Sequence, residues 1–242
     1  MWKRLNKWIF AVSLILFIPA CWQRDSFPDP LLVVPELLKE PRQQAVEISP
    51  FTLQRNGVDY RIQPLYEYEL YGLVVSYQFH DSRFGLHKLW NDHLNVADVC
   101  VLWGDNVRQL DLDDFDFWNG QFTCNVSTGS SEAWSKFNMF QLSNNHLILD
   151  DPGLRDQLED IRIGDQIRLR GWLAEYSHGG GKRGTSTTRE DTGNGACETL
   201  FVRDYTLLGS MHNGWRPLMM LSLLMLVITS LFWSVTVLRG RW

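Results

Sequence analysis

From Leu218 to Leu238 the chain runs LMMLSLLMLVITSLFWSVTVL, 21 residues without a charged side chain. An α-helix rises about 1.5 Å per residue, so this run reaches about 30 Å, the thickness of a bilayer's hydrocarbon core. Uncharged runs of this length span membranes far more often than they line soluble cores. Trp215 and Arg216 flank one end, and Arg239, Arg241 and Trp242 the other. These residue types anchor a span at its two interfaces. Mean hydropathy is -0.19 over 242 residues, so most of the chain lies outside the bilayer. Composition is globular, with 45% hydrophobic and 21% charged residues, which excludes disordered and fibrous classes.

The N-terminus carries a second apolar stretch, Trp8 to Ala20, behind the basic residues Lys3, Arg4 and Lys7. Thirteen residues reach only about 20 Å as helix, which suits a secretory signal better than a full span. Ile18-Pro19-Ala20-Cys21 resembles a bacterial lipoprotein cleavage site, with Pro19 and Trp22 departing from that pattern. Lipidation of Cys21, an uncleaved short anchor and plain cleavage all remain open for residues 1–21.

Basic residues stay on the cytoplasmic side of a membrane. Those before the first apolar segment and after the second therefore place both ends inside, with residues 239–242 as a cytoplasmic tail. The middle is then expected in the periplasm of a bacterial inner-membrane protein, held by one or two passes. The flanks take 5 basic residues, leaving the middle 18 basic against 28 acidic, a net of -10. An acidic domain argues against nucleic acid as a partner. Cys100, Cys124 and Cys197 fall in this oxidising space, where disulfides form. The favoured pair is Cys100 with Cys124, and Cys124 with Cys197 is the rival.

Residues 22–57 contain Pro28, Pro30, Pro35, Pro41 and Pro50 and read as a linker. Beyond them the signals are mainly β. Tyr66 to Phe79 and Asp98 to Trp103 are strand candidates rich in aromatic and β-branched residues. Phe115 to Cys124 contains Asn119-Gly120, a strong two-residue hairpin signal. Asp151 caps an expected short helix over Pro152 to Ile161. Ile167 to Leu173 and Glu198 to Leu208 supply two later strands. Three strands, one short helix and two strands over residues 58–210 resemble the OB-fold, a small Greek-key β-barrel. The expected architecture is thus mainly β: an OB-like barrel with one short helix, an N-terminal signal or anchor, and a transmembrane helix over 217–238.

The segment from Ser177 to Cys197 holds six glycines. On an OB-like barrel it joins the last two strands, a place where such folds bind ligands. Lys182, Arg183, Thr185, Ser186, Arg189 and Asp191 are the candidate ligand-binding residues, suited to a phosphate, carboxylate or sugar. An ordinary surface loop is the alternative. It is not a phosphate-binding P-loop, because Lys182 is followed by Arg. His80, Asp81, His87, Asp92, His93 and Asp98 match no zinc spacing, and this stretch reads as a solvated loop, so no metal and no cofactor are expected. Asp111, Asp113, Asp114 and Asp116 lack the pattern of a calcium loop. No catalytic residues stand out. Ser230 and Ser234 have small-xxx-small spacing for packing against another helix.

The expectation is a non-enzymatic binding or assembly module of a cell-envelope complex, with other membrane proteins as partners. Two alternatives remain: an envelope enzyme working on glycan, lipid or peptide through residues 177–197, and a small-ligand carrier or sensor.

Overall fold

A computed structural model gives the fold and describes residues 2–28, 31–80, 85–188, 197–238 and 240. In chain order the elements are α1 (Trp2–Gln23), β1 (Arg42–Ala45), β2 (Phe51–Arg55), β3 (Val58–Phe79), α2 (Gly85–Leu89) and β4 (Asn95–Leu102). Then come α3 (Asp105–Gln109), β5 (Asp116–Gly120), β6 (Thr123–Ser127), α4 (Ser131–Lys136), β7 (Leu142–Ile148) and α5 (Pro152–Glu159). The last are β8 (Asp165–His178), β9 (Gly181–Arg183), β10 (Glu198–Ser210) and α6 (Trp215–Leu238). They fall into two compact units, residues 29–211 and the terminal segments 1–28 with 212–242.

The terminal unit is a pair of packed apolar helices, each long enough to cross a membrane. At 22 residues α1 is longer than its uncharged core, because the helix continues through the basic residues before it and through Cys21 after it. Small side chains face inward: Ser13 and Ala20 on α1, and Ser222 and Thr229 on α6. Each pair is seven apart, so it repeats on one face and lets the backbones approach. Asn6 Nδ2 donates to the Thr229 carbonyl at 3.1 Å. Ser230 and Ser234 lie on the exposed face of α6, and Ser234 Oγ donates to the Ser230 carbonyl at 3.0 Å. Where α1 ends, Asn213 Nδ2 donates to the carbonyls of Gln23, Arg24 and Ser26, and Arg216 pairs with Asp25 at 3.1 Å.

Residues 29–211 are mainly β. The stretch read as a linker carries a 3-10 turn at Pro35–Leu38 and the strands β1 and β2. Both strands add to β3, whose 22 residues offer more edge than two neighbours use. The hairpin signal also moves. Asn56 and Gly57, both at positive φ (49° and 78°), form the two-residue turn between β2 and β3, as a type I′ turn requires. Asn119 and Gly120 instead lie within β5, and the turn falls on Gln121 and Phe122. The Asn119 side chain is spent elsewhere: its Nδ2 donates to the Asp98 carbonyl at 3.3 Å and its Oδ1 meets Ser76. That anchorage on β4 and β3 sets the hairpin's register.

The main sheet returns on itself. β3 pairs with β4, β4 with β7, β7 with β10, β10 with β8, and β8 again with β3. All these pairings are antiparallel except β7 with β10. With β1, β2 and β9 added outside this circuit, the sheet is ring-like and not the plain barrel expected. Four short α-helices, not one, decorate the described part of this unit. Inside the ring pack Leu70, Val74, Val99, Val101, Leu147, Leu169, Leu173 and Leu200, all buried. α5 closes one opening with Leu154 and Leu158. It starts where Asp151 accepts from the Gly153 and Leu154 amides at 2.8 and 3.3 Å, satisfying donors that a helix start leaves free. At Gly171 β8 lies close against β10: a Cβ there would stand 2.0 Å from the Phe201 carbonyl oxygen.

Cys100 on β4 and Cys124 on β6 are at disulfide distance, 2.19 Å. The bond ties the two-stranded β5–β6 sheet to the ring across 24 residues of chain. Closing a loop of that size restricts the unfolded chain by about 3 kcal/mol. The double substitution Cys100→Ser and Cys124→Ser should lower unfolding free energy by about 2–4 kcal/mol, read as a lower urea midpoint. An unchanged midpoint would mean that the noncovalent contacts of the hairpin hold it alone.

Candidate functional site

Residues 177–188 form a hairpin followed by a tethered segment. β8 turns at Gly179–Gly180 and returns as β9, pairing His178 with Gly181 and Tyr176 with Arg183. The Gly180 amide donates to His178 Nδ1 at 3.0 Å. After β9 the chain is tied to β10: Thr199 Oγ1 donates to the Gly184 carbonyl at 2.8 Å, and the Thr199 amide to Thr185 Oγ1 at 2.9 Å. The Ser186 amide donates to the Cys197 carbonyl at 2.9 Å. Ser186 is buried and its hydroxyl donates to the Thr188 carbonyl.

Beside this hairpin lies a cleft of about 570 Å³. Gly180 to Thr185 form one wall, and Trp90 and Phe122 stack at 5.6 Å as another. Asp92, His146, Tyr176 and Cys197 line the interior. Of the six expected ligand residues, Lys182, Arg183 and Thr185 line the cleft and Ser186 does not. Arg189 and Asp191 lie outside the described residues. Lys182 pairs with Glu175 at 2.8 Å. Arg183 sits 4.3 Å above the Phe122 ring and 3.9 Å from Asp92, a cation held by a π face and a carboxylate together.

Phe122 is the hub. It has φ 59° at the tip of the β5–β6 hairpin, a conformation that costs a bulky residue energy and concentrates at functional sites. Its ring also meets the edges of His87 at 5.5 Å and His146 at 6.1 Å.

Under the cleft runs a network of buried ionisable groups. In the stretch from His80 to Asp98, where Asp81 lies outside the described residues, His80, His87, Asp92 and Asp98 are not solvated but buried. Asp98 Oδ1 lies 2.5 Å from His146 Nδ1 and 3.2 Å from His80 Nε2. His80 stacks on His87 at 3.9 Å, and His87 Nδ1 stands 3.6 Å from Asp92. Asp92 Oδ2 accepts from the Tyr176 hydroxyl at 2.8 Å. Burial opposes charge on Asp98, yet the hydrogen bonds from His146 and His80 outweigh it and hold the carboxyl well below its ordinary range. Burial likewise opposes charge on His146. Its hydrogen bonds to Asp98 and to Cys197 prevail and lift its pKa to about 9. Asp92 is lowered against its own burial by His87, Tyr176 and Arg183. Burial and the Asp92 charge together push the Tyr176 hydroxyl well above its ordinary value. Among the described residues no cluster has the make-up of a metal site.

Sequence reasoning passed over His146, Trp90 and Phe122, and met Asp98 as part of a solvated loop and Cys197 as a disulfide candidate. A signal for His146 existed. Ser143-Asn144-Asn145-His146 is a polar run inside β7, a strand buried almost throughout, and buried polar side chains in a core strand call for a reason. Comparison with known proteins adds no assignment: no family model, no curated protein and no solved structure matches this chain.

Proposed function

We propose that this chain is a membrane-anchored, extracytoplasmic binding and assembly module of a bacterial cell envelope, engaging a ligand or partner in the cleft beside Gly180 to Thr185. The observation that carries this reading is the cleft itself. It sets an aromatic wall, Trp90 and Phe122, against a glycine-rich hairpin bearing Arg183, in a domain whose two ends lead to apolar helices. An aromatic face opposite a cation and exposed backbone suits a sugar, peptide or carboxylate-bearing ligand. The basic ends of the chain favour an inward orientation for both termini, and a domain outside the cytoplasm suits the Cys100–Cys124 bond. The exposed face of α6 with Ser230 and Ser234 is where another membrane helix would pack. On the domain, Phe115, Phe117, Phe137 and Trp134 form an aromatic series reaching the surface, a feature of partner surfaces.

The OB-like reading belongs here also. Its support is the circuit β3–β4–β7–β10–β8, the parallel β7–β10 pair and the helix α5 between β7 and β8. In that arrangement the Gly-rich hairpin lies between the last two ring strands, where OB-folds hold ligands.

Two measurements test the proposal. Protease added to intact spheroplasts should cut within residues 29–211; cutting only after lysis would overturn the orientation. A photo-crosslinking amino acid at position 90 should give a discrete adduct in whole cells that Arg183→Glu abolishes. Absence of any adduct with a correctly oriented protein would remove the cleft as a binding site. The second reading, an envelope enzyme, is favoured by one arrangement in the cleft: Cys197, His146 and Asp98.

A further inference from the structure

Cys197 lines the cleft and is half-buried, with its sulfur outside any disulfide. Its neighbours are those of a reacting thiol. The parallel register of Thr199 with His146 brings the start of β10 beside that imidazole, and His146 and Cys197 line the same cleft. The other side of the ring is fixed: Nδ1 faces Asp98 at 2.5 Å, so Nε2 is the nitrogen left for the thiol. Asp98 is fully buried and cannot turn away. Asn144, on the same strand as His146, puts Nδ2 3.5 Å from Sγ. The buried Asn144 Oδ1 has no hydrogen-bond partner among the described residues, so this amide is not locked into a network of its own. The Phe122 carbonyl at 3.5 Å is the second acceptor in reach of the thiol hydrogen.

We propose that Cys197 is a nucleophile for acyl groups, with His146 as its proton acceptor and donor, Asn144 as a donor to the oxyanion, and Asp98 as the residue that positions His146. The substrates are esters, thioesters or amides presented against Trp90 and Phe122. With its ring neutral, at about pH 9 and above, His146 takes the thiol proton on Nε2, and the sulfur attacks the carbonyl carbon. A C–S bond forms and the carbonyl electron pair moves to oxygen, where Asn144 Nδ2 donates to it. The tetrahedral species collapses, the bond to the leaving group breaks, and His146 returns its proton to that group. Water then attacks the thioester, giving a proton to His146. The acid departs and the proton returns to sulfur, so nothing is oxidised or reduced. An amine or hydroxyl in place of water gives transfer instead of hydrolysis. A thiol, an imidazole held by a buried carboxylate and a neighbouring amide recur in this chemistry on unrelated folds.

The inference rests on the cleft being a binding site, and its test separates the two. Full-length protein in detergent, carrying Cys21→Ser, is mixed with p-nitrophenyl acetate at about pH 9, where His146 gives up its ring proton. The expected result is a burst of p-nitrophenolate equal to the protein present and an acetyl group on the peptide holding Cys197. His146→Gln should slow acetylation by about 100-fold or more. Asn144→Ala should slow it by about 100-fold while iodoacetamide alkylates Cys197 at an unchanged rate, a difference that misfolding would not give. In the native sequence, which needs no folded variant, Cys197 should be acetylated at least about 10-fold faster than Cys21, as general base assistance requires. The groups facing His146 in these measurements are Asp98 from β4 and Cys197, with His80, just past the end of β3, meeting the same Asp98 oxygen. Equal reactivity of the two thiols, or acetylation indifferent to His146→Gln, overturns the proposal. So does exchange of Cys197 with the Cys100–Cys124 bond in place of acetylation, which would make the thiol a redox group. Cys197→Ala should lose acetylation and keep the adduct at position 90; loss of the adduct in the native protein with acetylation intact would sink the binding reading alone.

Discussion

Gly171→Val should leave residues 29–211 without a stable ring. A Cβ at this position would stand 2.0 Å from the Phe201 carbonyl oxygen, 2.9 Å from the Phe201 carbonyl carbon and 3.1 Å from the Val202 Cα. All three are backbone atoms, so no side-chain rotation relieves the contact. Nor can the strand shift. Gly171 is paired with Tyr68 on β3 and with Val202 on β10, and moving it away from one ladder drives it into the other. The loss should reach at least about 3 kcal/mol, a large part of what a domain this size possesses. Thermal unfolding by circular dichroism reads it, with Gly129→Ala as the control, since nothing lies within 4 Å of a Cβ there. A melting temperature lowered no more than the control's would show that β8 and β10 separate easily, contrary to the closed circuit.

The second large effect is on pH. His146 has a folded pKa of about 9, above its unfolded value of about 6.5. Its contribution is therefore complete below about pH 6.5 and is lost as pH rises toward 9, on the order of 3 kcal/mol. Asp98 works in the opposite sense. Its folded pKa is depressed, so its contribution is present above about pH 4, the unfolded carboxyl's value, and disappears as acid protonates the folded group. Asp92, also lowered, adds to the acid limb. The domain should be most stable between about pH 4 and 6.5. Urea unfolding of the native protein and of His146→Gln should show the alkaline limb in the first and its loss in the second. A native profile flat to about pH 9 would mean that His146 is neutral in the folded protein, contrary to its bond with Asp98. At about pH 6, Asp98→Ala should cost about 3–5 kcal/mol, because two imidazoles would then be buried without their shared carboxylate.

How far the chain could be read from its residues follows from which forces are local. The span at 218–238, the Asp151 cap and the aromatic strand of β3 are written in neighbouring residues, so the letters suffice. Asn-Gly occurs four times, at 56–57, 119–120, 194–195 and 213–214, and the letters alone do not separate the pairs at 56–57 and 119–120, which both fall between β stretches. What separates them is the bonding of Asn119 to β4, a contact 21 residues away. The Gly-rich segment pointed toward the cleft through Lys182 and Arg183. The rest of the site comes from four other places: Trp90 after α2, Asp98 on β4, Phe122 on a hairpin tip and His146 on β7. Each looks ordinary alone, and only the closing of the sheet brings them together. The His80 to Asp98 stretch has no metal spacing, and nothing in its letters shows that His80 and His87 are buried against Asp98 and Asp92.

Asn213 gathers the carbonyls of Gln23, Arg24 and Ser26 into one knot. The path into residues 29–211 and the path back out therefore start from a shared doorway. On the proposed topology, with both terminal helices kept in the bilayer, a single nick anywhere in that excursion releases neither fragment, and both should sediment with the lipid. Two nicks are needed to set a soluble piece free.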